Sequence, residues 1–165
     1  MTGDRNKLVA FLMGQKDGEL FDLTPHRNRR TRSQNAYYWQ LVGKIADRLR
    51  ESKNHVHNVL LRRYGRPMYI DGQLAATYLP DTDEAERTAL EAETFHVKPT
   101  SQVKAGAKGQ LLRAYVLLKG SSDMDTAEMS ALVDGAVIEA KQLDIETLTP
   151  EELERMRVNE KHNQQ

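Results

Sequence analysis

The chain has 165 residues, 24 basic and 24 acidic side chains and no cysteine. Its length suits one domain with a real core, and without thiols it can form no disulfide, thiolate metal site or cysteine nucleophile. No apolar run approaches the roughly 20 residues of a membrane span, and Leu8–Met13 is too short for a signal-peptide core, so a soluble cytoplasmic protein is expected.

Lys7–Met13 reads as a short buried strand, 14–18 as a turn and Glu19–Leu23 as an alternating strand, which predicts a first hairpin. Thr24-Pro25 breaks that pattern. After Thr31, apolar residues recur three and four apart at Tyr38, Leu41, Val42, Ile45, Ala46 and Leu49, predicting a helix capped by Thr31 or Ser33. Ser52 begins a second helix with Val56, Val59, Leu60 and Tyr64 as its stripe. Gly65 and Pro67 end it, the glycine by tolerating the left-handed closing conformation. The short join between them makes a helical hairpin.

Asp71-Gly72 predicts a tight turn between Met68–Ile70 and Gln73–Tyr78. An acidic helix runs from Thr82 or Asp83 to Glu91, and Thr94–Val97 and Leu111–Lys119 read as strands. The basic, glycine-containing stretch 99–110 suits either an ordered hairpin arm or a loop that orders on a partner. Asp125 or Thr126 caps a helix whose stripe is Met129, Leu132, Val133, Ala136, Val137 and Ala140. Thr149-Pro150-Glu151-Glu152 starts the last helix with a capping box. The order ββ-αα-ββ-α-ββ-αα is α+β: a small antiparallel or mixed sheet with packed helices, a central helical hairpin and C-terminal helices. Residues 1–148 read as the domain and 149–165 as a C-terminal helix with a frayed tail.

Charge is sorted along this neutral chain. Between His26 and Arg66 stand 11 basic residues against Asp47 and Glu51, interleaved with Tyr37, Tyr38, Trp39 and Tyr64. Residues 98–119 add Lys98, Lys104, Lys108, Arg113 and Lys119 with no acid. Guanidinium groups beside planar rings suit a polyanion with stackable bases, which is nucleic acid. Arg27, Arg29, Arg30 and Arg32 precede or open a helix, so their planar forks and the helix N-terminus would grip phosphates together. Lys44, Arg48, Lys53, Arg62, Arg63 and Arg66 extend that track, and Lys98, Lys104 and Lys108 form a second arm. Gln34 and Asn35 would either meet base edges or sugar or satisfy backbone at the helix start. Trp39 or Tyr37 would stack on a base, unless Trp39 joins the core or a dimer interface. His55 and His57 project about 200° apart on a helix and cannot share a metal there, so both read as surface histidines and no metal or cofactor is expected.

The start of the first long helix carries Arg30, Gln34, Asn35, Trp39 and Gly43 in an R-x-x-x-Q-N-x-x-x-W-x-x-x-G arrangement. This resembles the NinB (Orf) family of phage recombination proteins, with Ala36 where that family often has a basic residue. The segment from Gly120 onward is similar to phage and prophage proteins sharing the Gln-Asn motif. The resemblance implies a non-catalytic recombination mediator. Such a protein would be a homodimer in the cytoplasm of a bacterial host, binding single-stranded, gapped or branched DNA and meeting the host single-strand-binding protein. Two rivals stand beside it. A metal-dependent nuclease or junction resolvase would cluster carboxylates such as Asp71, Asp81, Asp83, Asp123 and Asp125 around Mg²⁺. A protein-interaction module would use the acidic C-terminal helices, through Glu139 and Asp144–Glu154.

Overall fold

Two long amphipathic stripes, one early and one late in the chain, close on each other and set the architecture. The structure, a computed structural model, describes residues 4–16, 18–21 and 32–162. Helix α2 (Arg32–Leu49) turns Tyr38, Leu41, Val42, Ile45 and Ala46 inward. Helix α5 (Thr126–Gln142) meets it with Met129, Leu132, Val133, Ala136 and Ala140. Helix α3 (Lys53–Tyr64) adds Val56, Leu60 and Leu61 to the same core, and α6 (Pro150–His162) adds Leu153 and Met156. The C-terminal helix is therefore part of the main core. Removing these side chains from water, at roughly 1.5–3 kcal/mol for each large one, is what holds the helices together.

The ends of these helices follow their sequence signals. The Ser52 hydroxyl accepts from the His55 N–H. Asp125 and Glu128 form a reciprocal capping box, and so do Thr149 and Glu152. Arg50, with φ of 57°, makes the left-handed turn between α2 and α3. Gly65 does not take the expected left-handed conformation; its backbone is extended, at φ −72° and ψ 179°. It must still be glycine, because a Cβ there would lie 2.4 Å from the Leu61 carbonyl oxygen. Gly135 on α5 is needed for a similar reason, since a Cβ would meet the Tyr64 ring at 2.2 Å.

The amino-terminal hairpin is not formed. Residues 5–13 are helix α1, capped by Asp4, whose carboxylate accepts from the Lys7 N–H at 2.9 Å. Leu, Ala and Met in that run favour a helix, and the run lacks the alternation a half-buried strand needs. Residues 19–21 are not strand, and the rest of the proposed second strand lies outside the described residues.

The sheets are small and antiparallel, so the fold is α+β. Strands β1 (Tyr69–Ile70) and β2 (Gln73–Leu74) close over Asp71 and Gly72, both at positive φ as the tight turn demands. The expected strand through Tyr78 is broken at Ala75, and its second part is β3 (Ala76–Pro80) of another sheet. That sheet has the order β3-β5-β4, with β4 (Val97–Ala105) and β5 (Leu111–Leu117) forming an ordered hairpin arm. Lys98 and Lys104 lie on one face, opposite Val116 and Leu112, on either side of a bulge in β4 between Pro99 and Val103. The other face carries Val97, Tyr115, Leu79 and Leu117, which pack with Ala89 of α4 (Asp83–Glu91). Thr82 caps α4. No helix among the described residues is long and apolar enough to cross a membrane.

Candidate nucleic-acid interface

Arg27, Arg29 and Arg30 lie outside the described residues, and Arg32 is the first residue of α2. The remaining candidates divide by what they touch. Gln34 is fully buried and donates to the Ser130 hydroxyl of α5 at 3.0 Å, so it ties two helices together and cannot read a base edge. Asn35 is partly buried, and its Oδ1 finds no partner among the described residues. Trp39 packs against the main core, its ring 4.7 Å from that of His57. Tyr37 is also buried, and its hydroxyl accepts from the Leu148 N–H at 2.9 Å. Tyr37 therefore offers no open face for base stacking, while Trp39 is partly buried with its ring engaged by Tyr38 and His57.

Several cations of the basic window are already engaged. Arg48 donates twice to the Leu143 carbonyl, at 3.1 and 2.8 Å, closing the carboxyl end of α5. Lys44 reaches the Glu146 carbonyl at 3.4 Å. Arg62 is largely buried, bonded to the Val97 carbonyl at 2.8 Å and held in a bidentate contact by Glu86. Burial works against the Glu86 carboxylate, but Arg62 and the Tyr115 hydroxyl hold it below the usual carboxylate range. Arg63 meets Glu139 of α5 at 2.7 Å, and the Tyr64 hydroxyl donates to the same carboxylate. The expected track along α3 is thus largely neutralised by acids distant in sequence.

Other cations keep their charge unpaired among the described residues. Lys53, Arg66, Lys98, Lys104 and Lys108 are exposed and make no ion pair. Strands β3, β4 and β5 contain no aspartate or glutamate. Beside them runs a groove of about 280 Å³ whose lining includes Arg62, Arg63, Tyr69, Leu74, Lys98 and Val116, with no carboxylate in it. There the end of the first basic stretch meets the start of the second. The β1–β2 hairpin forms one wall, fastened by Met68 N–H to Leu117 O at 2.8 Å and Leu117 N–H to Ala75 O at 2.9 Å.

No family model, curated protein or solved structure matches this chain.

The acidic candidates do not converge on one ion. Asp81 pairs with Arg113 at 2.7 Å, Asp125 caps α5, and Asp71 sits in the β1–β2 turn. Asp81, Asp83 and Glu86 do share a second cavity, of about 320 Å³, but with Arg113 and Tyr115. Burial, with Glu86 beside it, pushes the Tyr115 hydroxyl up to about 12. Among the described residues, the donors close enough to share one metal ion are Glu51, His55 and Glu91, all within 4.8 Å of one another. His55 Nδ1 lies 3.9 Å from the Glu51 carboxylate and 3.4 Å from that of Glu91, and Ser52 donates to Glu91.

His57 is not the surface histidine its H-x-H setting suggested. It is buried, with Nδ1 2.7 Å from the Tyr38 hydroxyl and its ring 5.0 Å from His96. The signal was present: positions 57, 60, 61 and 64 form one helical stripe. Residue 34 likewise shares a stripe with 38, 41 and 45. Asn58 was also missed. Its amide donates to the carbonyls of Asn54, Leu90 and Ala92, and its oxygen meets His96 Nδ1 at 2.7 Å.

Proposed function

We propose that this chain is a non-enzymatic DNA-binding accessory protein of phage recombination that grips single-stranded or gapped DNA by its phosphates. The observation that carries the reading is the groove in which Arg63 and Lys98, from two separate basic stretches, stand beside Tyr69 with no carboxylate in the lining. Arg63 spends one nitrogen on Glu139 and remains about half exposed, so its other donors can reach a ligand. Exposed cations along one surface bind a polyanion by releasing its counterions, and backbone contacts of this kind read no sequence. Lys98, Lys104 and Lys108 supply the second arm of that surface, and Arg66 extends it. The NinB resemblance of the α2 start supports the assignment to recombination. It also suggests a homodimer, a host single-strand-binding protein as partner and the bacterial cytoplasm as location.

The test is a gel-shift panel of single-stranded, duplex, gapped and branched DNA at several salt concentrations, with and without Mg²⁺. The expected result is Mg²⁺-independent binding that weakens steeply with salt. Lys98→Gln with Lys104→Gln should lower the slope of log affinity against log salt by about 1.4, at about 0.7 for each lost contact on a single strand. Cleavage that requires Mg²⁺ would instead identify a nuclease, and no binding at low salt would identify a protein-interaction module.

A further inference from the structure

The β3-β5-β4 sheet has a second face whose chemistry the groove alone does not use. By register it carries Ala76, Tyr78, Lys98, Lys104, Leu112 and Val116. Neither apolar cluster of the protein includes a residue of this face. Tyr78 lies across Ala114 at the middle of it and is 45% exposed, and Lys104 reaches across β5 to set its ammonium 3.5 Å from the centre of the Tyr78 ring. One strand step of two residues, about 6.7 Å, separates Ala114 from Val116 of the groove lining. Tyr69, 60% exposed, stands at that groove. Tyr69, Tyr78 and the unpaired lysines thus lie along one carboxylate-free strip.

We infer that this face is a base-stacking platform on which unpaired nucleotides lie, with Tyr78 taking one base and Lys98 and Lys104 the flanking phosphates. The inference rests on the nucleic-acid reading above and adds what that reading lacks, a surface that separates single strands from duplex. Three features select this occupant over a protein surface or a second copy of the chain. The exposed rings are tyrosines, whose hydroxyl tolerates water while the face stacks. The cations around them are long and unpaired among the described residues. The three strands themselves carry no acid that would repel phosphate or pair with a basic partner. Lys104 does not block the ring. An exposed cation–π contact is weaker than a stacked base, so an arriving base displaces the ammonium, which is then free for the adjacent phosphate.

Fluorescence anisotropy on the full chain tests this, using a labelled oligothymidylate, the same length of abasic strand, and a hairpin duplex. Tyr78→Ala should weaken the oligothymidylate about tenfold or more while leaving the salt slope unchanged, because a stack releases no counterions. Tyr78→Phe, which keeps the ring, should bind like the parent. Abasic strand and duplex should not distinguish Tyr78→Ala from the parent. Equal affinity of Tyr78→Ala and parent for oligothymidylate overturns the platform but leaves the phosphate-gripping groove standing. Failure of the parent to bind any of the three probes overturns both. A change of oligomeric state on gel filtration in Tyr78→Ala, with affinity unmoved, also overturns the platform and assigns the face to a protein contact. Tyr78 is exposed, so Tyr78→Ala should melt with the parent, which a thermal scan verifies.

Discussion

Helix α3 and the hairpin β4–β5 are both basic, yet they use that charge in opposite ways. On α3, Arg62 turns inward to Glu86 and the Val97 carbonyl, and Arg63 reaches Glu139 of α5. On β4–β5, Lys98, Lys104 and Lys108 stand without a carboxylate, and Arg113, on the opposite face, is the one strand cation paired with an acid, Asp81. The first set holds elements together and the second is free to act at a distance. Net charge along a sequence therefore overstates what α3 offers a ligand and understates what the smaller second stretch offers. Polar groups divide differently: α3 sends His57 and Asn58 inside, whereas the sheet splits its tyrosines, Tyr115 buried against Glu86 on one face and Tyr78 exposed on the other.

The sharpest way to break this comparison is at Asn58, where the inward use of polarity is most concentrated. Asn58→Ala strips partners from the Leu90 and Ala92 carbonyls and from His96 at once. Buried groups left unpaired cost about 1–3 kcal/mol each at most, and relaxation will recover part, so a loss of about 2–4 kcal/mol is expected. Urea unfolding with an unchanged slope would measure it. A loss under about 0.5 kcal/mol would mean that the Asn58 bonds contribute little and that apolar contact and the Arg62–Glu86 pair hold α3 to α4. On protein that remains folded, the affinity for DNA should not move.

A paired set of substitutions sharpens the contrast in charge. Arg62→Gln removes both bonds to Glu86 and the one to Val97, from a side chain only 14% exposed. Because the Glu86 side is partly solvated, the expected cost is about 1–2 kcal/mol in stability, with the salt slope of DNA binding unchanged. Lys98→Gln should do the reverse, staying within about 0.5 kcal/mol in stability and flattening the slope by about 0.7. If Arg62→Gln changes the slope and Lys98→Gln does not, the division between structural and available charge is wrong.

What could be read from the sequence, and what could not, follows the same divide. Ser52, Asp125 and Thr149 announced their helices because capping is decided within four residues. Asp71-Gly72 announced its turn for the same local reason. The α1 run misled because its apolar residues have no clear period, and β4 was only half seen because Lys98, Gln102 and Lys104 are poor strand formers held by their partner strand. Which cations exist was plain. Which remain available was not, because the acids that neutralise Arg62 and Arg63 come from α4 and α5, brought near only by folding. Tyr78 gave no signal for a similar reason: its value depends on Lys104 crossing a strand that lies between them.

The smallest expected effect concerns His96, the point where the two regions touch. Its Nδ1 bonds Asn58 on α3, and its backbone carbonyl accepts from Leu118 N–H at the end of β5. Burial lowers its pKa below the usual imidazole value, and Asp123 nearby offsets only part of that. A lowered value in the folded state means that the unfolded chain binds the proton more readily. Stability is therefore fully present above the ordinary histidine value of about 6.5 and declines as the pH falls below it. Melting temperatures between pH 8 and about pH 5 should show that decline, and His96→Gln should flatten it while costing some stability at neutral pH. A decline that persists unchanged in His96→Gln over that range would show that His96 is not its origin, whereas loss of the carboxylate pairs begins at lower pH because Arg62 and Tyr115 hold Glu86 ionised. The two origins separate by position on the pH axis, so a single titration of the parent and one variant decides whether the junction or the charged face of the molecule senses acid first.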